Sequence, residues 1–141
     1  MTKLLDRVDT LIRDLEQLFA DGTYHAGGWR TTSVDPFFER FLNGLHPSEW
    51  AAAFDEFARE VASTFLTGKR DFENSDLLIN TAENYALALQ HEDYRYPGFF
   101  ESAYRAFDAG EWDHHRTSAD PIAEFTVPML QKLLVGLSGT E

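Results

Sequence analysis

Apolar side chains recur every three or four residues at the start of this chain, and this spacing is the strongest constraint on its fold. The stripe consists of Leu4, Val8, Leu11, Leu15 and Leu18. Charged and amide side chains fill the opposite face, so the pattern predicts an amphipathic helix over residues 3–20. The stripe spans only about two heptads, and we therefore expect it to pack in a helical bundle rather than form an independent coiled coil.

Helical spacing continues along the rest of the chain, and proline and glycine residues mark the helix ends. The second predicted helix has Asp35 as N-cap and Pro36 in its first turn, and the third covers about residues 47–67. The fourth covers about residues 76–91 and is capped by Ser75 or Asn74. The fifth runs from Phe99 to Gly110, and the last begins at Asp120–Pro121. Pro128 must kink or restart the last of these, because its ring disfavours α geometry in Val127.

The chain lacks the signals of other fold classes. No run of residues alternates convincingly as a strand, and no internal repeat or low-complexity segment divides the sequence. Its length of 141 residues suits one domain, and its apolar content of 43% allows a packed core without metal or disulfides. The sequence predicts an all-α fold, a compact single-domain bundle of five to seven helices over residues 1–141.

Net charge limits the partners of this domain. There are 24 acidic and 12 basic residues, for a formal charge of −12. Binding to nucleic acid or to an anionic membrane surface needs a basic excess, so both are disfavoured. A basic protein would be attracted by the same field. The alternative is that the acidity serves only solubility.

Cysteine is absent from the sequence. Disulfides, thiolate catalysis and Cys-based metal sites are therefore excluded. The N-terminus has no signal-peptide hydrophobic region, and no stretch reaches the 18 or so apolar residues of a membrane-spanning helix. These features lead us to expect a cytoplasmic protein.

Histidine and carboxylate residues provide the only candidate metal site. Glu111 and His114 have the Glu-x-x-His spacing of helical metal sites, and His91 belongs to a looser acidic and histidine cluster that includes Asp108. A second Glu-x-x-His motif is missing, and solvated charges are common at helix ends. No H-E-x-x-H motif, nucleophile elbow or phosphate-binding loop is present, and no cofactor is indicated.

Polar side chains on the fourth predicted helix form the most specific surface feature. Asp76, Asn80, Glu83 and Asn84 share roughly one face, although asparagine is unfavourable inside helices. The feature favours either a recognition strip or internal hydrogen bonding. The aromatic residues Tyr94, Tyr96 and Trp112 lie near helix ends, where they could anchor a partner or fold back onto the bundle.

The sequence favours a non-catalytic acidic domain that binds a basic protein, for example an inhibitor of the immunity or antitoxin type. The predicted partner-binding residues are Asp76, Asn80, Glu83, Asn84, Tyr94, Tyr96 and Trp112. The alternative is a metal-binding or ligand-binding protein, or an enzyme, with its site near the ends of the fourth and fifth helices and His91, Glu111 and His114 as ligands. A homodimer formed through the first helix is a third interpretation.

Overall fold

A computed structural model describes residues 2–21, 34–111 and 120–139, and these residues form helices and no strand. The helices are α1 Thr2–Ala20, α2 Asp35–Leu42, α3 Trp50–Leu66, α4 Phe72–Ala88, α5 Gly98–Ala109 and α6 Val127–Gly139. A 3-10 turn, Pro47–Glu49, precedes α3, and a π-helical segment, Ile122–Thr126, precedes α6. The fold is a compact all-α bundle, which confirms the predicted class.

Helix α3 lies at the centre of the bundle and contacts α1, α4, α5 and α6. Its inward face carries Phe54, Phe57 and Val61, all fully buried. Each such side chain contributes on the order of 2 kcal/mol relative to an exposed one. Phe54 and Phe57 also make edge contacts with Phe41 of α2, and their rings meet Phe100 of α5. Aromatic packing therefore holds α2 and α5 against α3.

The apolar stripe of α1 is buried against the other helices of the same chain. Val8 and Leu15 have no exposed surface, and Leu11 is 2% exposed. The predicted amphipathic helix is thus confirmed, and its apolar side faces α2, α3 and α4. Because the stripe is buried within the chain, it cannot be the contact surface with a second copy. The homodimer stays a prediction, but the apolar stripe of α1 does not support it.

Helix α4 begins one turn earlier than predicted. Its N-cap is Asp71, whose carboxylate accepts a hydrogen bond of 2.8 Å from the Asn74 amide. Ser75 and Asn74 are therefore inside the helix, and the prediction that either caps it is wrong. The first turn is stabilised because Phe72 packs against Phe65 and Phe107.

The start of α2 differs from the prediction as well. Val34 is the N-cap, and Asp35 already lies within the helix, followed by Pro36 in the first turn. His46 then opens the 3-10 turn with a capping box: its ring accepts from the Ser48 amide, and Glu49 accepts from the His46 amide. The helix predicted over about 47–67 is therefore confirmed, with this 3-10 turn as its first part.

The π-helical segment explains how the chain passes Pro128. Its wider turn ends with a hydrogen bond from the Val127 amide to the Ile122 carbonyl, and Pro128 follows as the second residue of α6. The buried Thr126 hydroxyl donates to the Ala106 carbonyl at 2.6 Å and joins this segment to α5. Val127 has α geometry all the same, with φ −61° and ψ −51°, so the expectation that Pro128 excludes this geometry is wrong, and the change from π-helix to α-helix comes at Val127.

Among the described residues, no helix is both long enough and apolar enough to cross a bilayer. Trp112 and His114, both candidate site residues from the sequence, lie outside the described ranges.

Candidate functional site

Helices α4 and α5 pack side by side and present a surface rich in carboxylates. We call this surface the acidic face and define it by Asp76, Asn80 and Glu83 of α4, Tyr96, Tyr104 and Asp108 of α5 and its preceding loop, and Glu111 just after α5. Asp108 and Glu111 are exposed, whereas Asp76, Glu83 and both tyrosines are half-buried. The apolar sides of both helices meet through buried residues such as Ile79, Ala82 and Ala103.

Asp76 and Glu111 lie at one end of the acidic face and are hydrogen-bonded to each other through their carboxyl groups. Burial raises the pKa of Asp76 to about 8, with the hydrogen bond and the charge of Glu111 adding to the effect. Asn80 also hydrogen-bonds Asp76 and donates to Glu111 at 3.3 Å. Two carboxyl groups this close cannot both be ionised at low cost, so the pair retains a proton.

Glu83 and Tyr96 form the other end of the acidic face. The Tyr96 hydroxyl donates to the Glu83 carboxylate, which lowers the pKa of Glu83, but burial outweighs this and the net shift is upward. The pKa of Tyr96 is raised by its own burial and by the charge of Glu83. Tyr96 also packs edge-on against Phe100, with ring centroids 6.3 Å apart. Its ring is therefore held by the bundle next to Glu83.

The local field on the acidic face is negative throughout. Burial raises the pKa of Tyr104, and the nearby charges that raise it further are all carboxylates. Among the described residues, the Lys and Arg ion pairs involve other acids: Asp14 with Arg40, Glu16 with Arg70, Glu56 with Arg59 and Glu101 with Arg105. Within this part of the chain, the carboxylates of the acidic face have no cationic partner.

The structure brings together four of the seven predicted partner-binding residues, namely Asp76, Asn80 and Glu83 of α4 and Tyr96 of the loop before α5. Asn84 lies toward α2, where it lines a cavity with Asp35. Tyr94 folds back: its hydroxyl donates to the Ala86 carbonyl at 2.7 Å, and its ring meets Trp50. Trp112 is outside the described residues.

Tyr104 is a member of the acidic face that is not among the residues predicted from the sequence. It precedes Asp108 by four positions on α5, so the two share a face, and this spacing is a usable signal.

The predicted metal ligands lie apart from one another where they are described. Glu111 hydrogen-bonds Asn80 in the first half of α4, whereas His91 follows the C-terminal end of that helix. His91 packs against Trp50, and its Nδ1 lies 4.0 Å from an Asp93 carboxylate oxygen. No group of three His, Cys, Asp or Glu residues in residues 2–21, 34–111 and 120–139 could hold a metal ion. His114 is not in these ranges, and the metal site stays a prediction.

Comparisons of the chain with protein-family models, with curated proteins and with solved structures found no match.

Proposed function

We propose that this chain is a non-catalytic cytoplasmic domain that uses its acidic face to bind a basic protein. The observation that carries the proposal is the set of four carboxylates, Asp76, Glu83, Asp108 and Glu111, that have no cationic partner within the described residues. Lysine or arginine side chains of a partner would replace the proton held by Asp76 and Glu111 and reduce the repulsion among the acids.

The acidic face combines these charges with rigid aromatic side chains. Tyr96 and Tyr104 are half-buried, so each ring is partly fixed by the bundle while part of it is exposed. Tyrosine in such positions contributes contact area at a small cost in conformational entropy. A partner with basic residues around an apolar centre would fit this arrangement.

An inhibitor of the immunity or antitoxin type is one concrete form of this function. In that form, the acidic face would cover the basic substrate-binding cleft of a toxin, and the formal charge of −12 would accelerate the encounter. The net charge, the size of the domain and the acidic-face carboxylates that lack a cationic partner within the described residues support this form, and the experiment below would identify the partner.

The test is affinity capture from the source organism with three baits. The first is the unmodified chain, and the second carries Glu83→Gln, Asp108→Asn and Glu111→Gln. The third is a charge-matched control with Asp9→Asn, Glu39→Gln and Glu92→Gln, all exposed positions that are not part of the acidic face. We expect the first and third baits to recover a stoichiometric basic protein at low salt and to release it at high salt.

The second bait should lose this protein. Recovery of no stoichiometric partner by the unmodified chain, or equal recovery by the second and third baits, would overturn the proposal. Circular dichroism of all three baits verifies that the helical content is unchanged.

A further inference from the structure

A separate cavity of about 280 Å³ lies between the start of α2 and the second half of α4. It is larger than the roughly 30 Å³ that one water molecule occupies, so a small organic group fits inside it. The lining residues are Val34, Asp35, Thr81, Asn84, Tyr85, Ala88 and Leu89. None of them belongs to the acidic face as defined above, and the inference below does not depend on the proposed function.

Thr81 is the wholly buried side chain of this cavity, and its hydroxyl has no hydrogen-bond partner. A threonine inside a helix normally satisfies its hydroxyl by bonding a carbonyl one turn earlier. Thr64 of α3 does this, with its hydroxyl donating to the Glu60 carbonyl at 2.8 Å. Buried polar groups without a partner are rare and costly. The Thr81 hydroxyl therefore has an unused capacity for a hydrogen bond with a group that enters the cavity.

The charges around the cavity select for a cation. Asp35 lines it, and the negative charges of Glu39 and Asp35 both reach Tyr85, where they add to burial in raising the pKa of that phenol. No Lys or Arg is among the described residues that line the cavity. The oxygens of Thr81 and of the Asn84 amide can accept hydrogen bonds from N–H donors. Among the described lining residues the one charged side chain is Asp35, so the described part of the cavity favours a cation over an anion.

The remaining walls are apolar and fixed. The ring of Tyr85 stacks on buried Phe38, with centroids 4.7 Å apart and an interplanar angle of 15°. Val34, Ala88 and Leu89 complete a surface against which methylene groups would pack. A ligand that carries an N–H-rich cation at one end and a short alkyl chain at the other matches both parts of the cavity.

We propose that this cavity binds an alkylammonium group, which is the head of either a small amine or a lysine side chain. The ammonium donates to the Thr81 hydroxyl and the Asn84 amide oxygen in the field of Asp35, and the alkyl chain lies along Tyr85 and Leu89. A probe with so few atoms binds weakly, and we expect dissociation constants in the millimolar range.

The test is a titration of the ¹⁵N-labelled chain followed by NMR. The probes are n-butylammonium and Nα-acetyl-lysine N-methylamide, and the uncharged and anionic controls are n-butanol and butyrate. We expect n-butylammonium to shift the amide signals of residues 34–36 and 81–89, and both controls to leave them unchanged. An equal effect of the lysine derivative identifies a lysine side chain as the occupant, and no effect of it identifies a small amine.

Matched variants decide whether the named residues bind the probe. Thr81→Val and Asn84→Ala should each lower the affinity for n-butylammonium by about fivefold or more. Asn80→Ala, on the acidic face of the same helix, should leave this affinity unchanged. The proposal is overturned if n-butanol shifts the signals as much as n-butylammonium does. It is also overturned if the shifts fall on the acidic face instead, if neither amine shifts residues 81–89, or if Thr81→Val binds like the unmodified chain.

Discussion

The carboxyl groups of Asp76 on α4 and Glu111 just after α5 share a hydrogen bond, so that below about pH 8 the folded protein holds a proton between two acids. The pKa of Asp76 rises from 3.8 to about 8, first because of burial and then because of Glu111. Between these two values, the folded state binds more protons than the unfolded chain. The free energy of unfolding therefore falls as the pH rises through this range.

Replacement of Asp76 by asparagine removes this titration. We expect Asp76→Asn to be about as stable as the unmodified chain near pH 4 and more stable at pH 8, by on the order of 1 kcal/mol once solvent screening of the half-buried pair is considered. Urea unfolding at several pH values measures the difference, with Asp9→Asn as an exposed control. Parallel stability curves for Asp76→Asn and the unmodified chain would contradict the shared proton.

The helices could be predicted from the sequence because their apolar spacing and their packing agree. The stripe of α1 is one example, since Val8, Leu11 and Leu15 are all buried. Helix boundaries were harder to predict where two residues both suit the N-cap position. Asp71 and Ser75 are one turn apart and both suit an N-cap, and the choice depends on Phe72, whose ring packs against Phe65 of α3 and Phe107 of α5.

The candidate site was only partly predictable for a similar reason. Asp76, Asn80 and Glu83 do share a face, but Asn84 lies far enough around the helix to line the cavity beside α2. Which side of α4 meets α5 depends on tertiary packing, which the period of one helix does not contain. Glu111 likewise acquires its role from Asp76, a residue 35 positions away that spacing arguments do not pair with it.

Thr81 and Thr126 provide a matched comparison of buried hydroxyl groups. Both are fully buried, but only Thr126 has a partner, the Ala106 carbonyl. We expect Thr126→Val to lower the free energy of unfolding by about 1–3 kcal/mol, because it leaves that carbonyl unsatisfied. Thr81→Val removes an unpaired hydroxyl and should be neutral or stabilising by up to about 1 kcal/mol. Denaturant unfolding of both variants tests this, and an equal loss in both would contradict the assignment of partners.

Gly110 lies where α5 meets the π-helical segment, and a side chain does not fit there. A Cβ at this position would overlap the Thr126 hydroxyl and lie 3.2 Å from the Phe72 ring and 3.3 Å from the Ile122 Cα. Because Ile122 contributes backbone, it cannot move aside easily. We expect Gly110→Ala to destabilise the chain by about 1–3 kcal/mol.

Gly98 is the control for this substitution, since a Cβ there meets no atom within 4 Å. Gly98→Ala should be neutral or stabilising by about 0.5–1 kcal/mol, because alanine loses less conformational entropy in a helix than glycine does. The melting temperature should fall for Gly110→Ala and stay the same or rise for Gly98→Ala. A similar decrease in both variants would show that the close contact at Gly110 is not the cause of the destabilisation.

Asp55 of α3 caps the N-terminus of α5 from a neighbouring helix. Its carboxylate accepts a hydrogen bond of 2.8 Å from the Phe100 amide, while the N-cap residue Pro97 provides no side-chain bond. We expect Asp55→Ala to cost about 1–2 kcal/mol and to accelerate hydrogen exchange at the Phe100 amide. Asp55→Asn keeps an acceptor and should cost less, and equal losses for both variants would contradict the capping role.

The central claim is that the acidic face attracts cations from a partner protein. It is tested most directly by following the Asp76 carboxyl carbon by NMR during a pH titration, with and without a blocked lysine hexapeptide at low salt. We expect Asp76 to titrate near its pKa of about 8 alone and at a lower pH with the peptide, because a nearby cation favours the ionised form. Titration near 3.8 without the peptide, or a pKa that a saturating amount of peptide leaves unchanged, would contradict the claim.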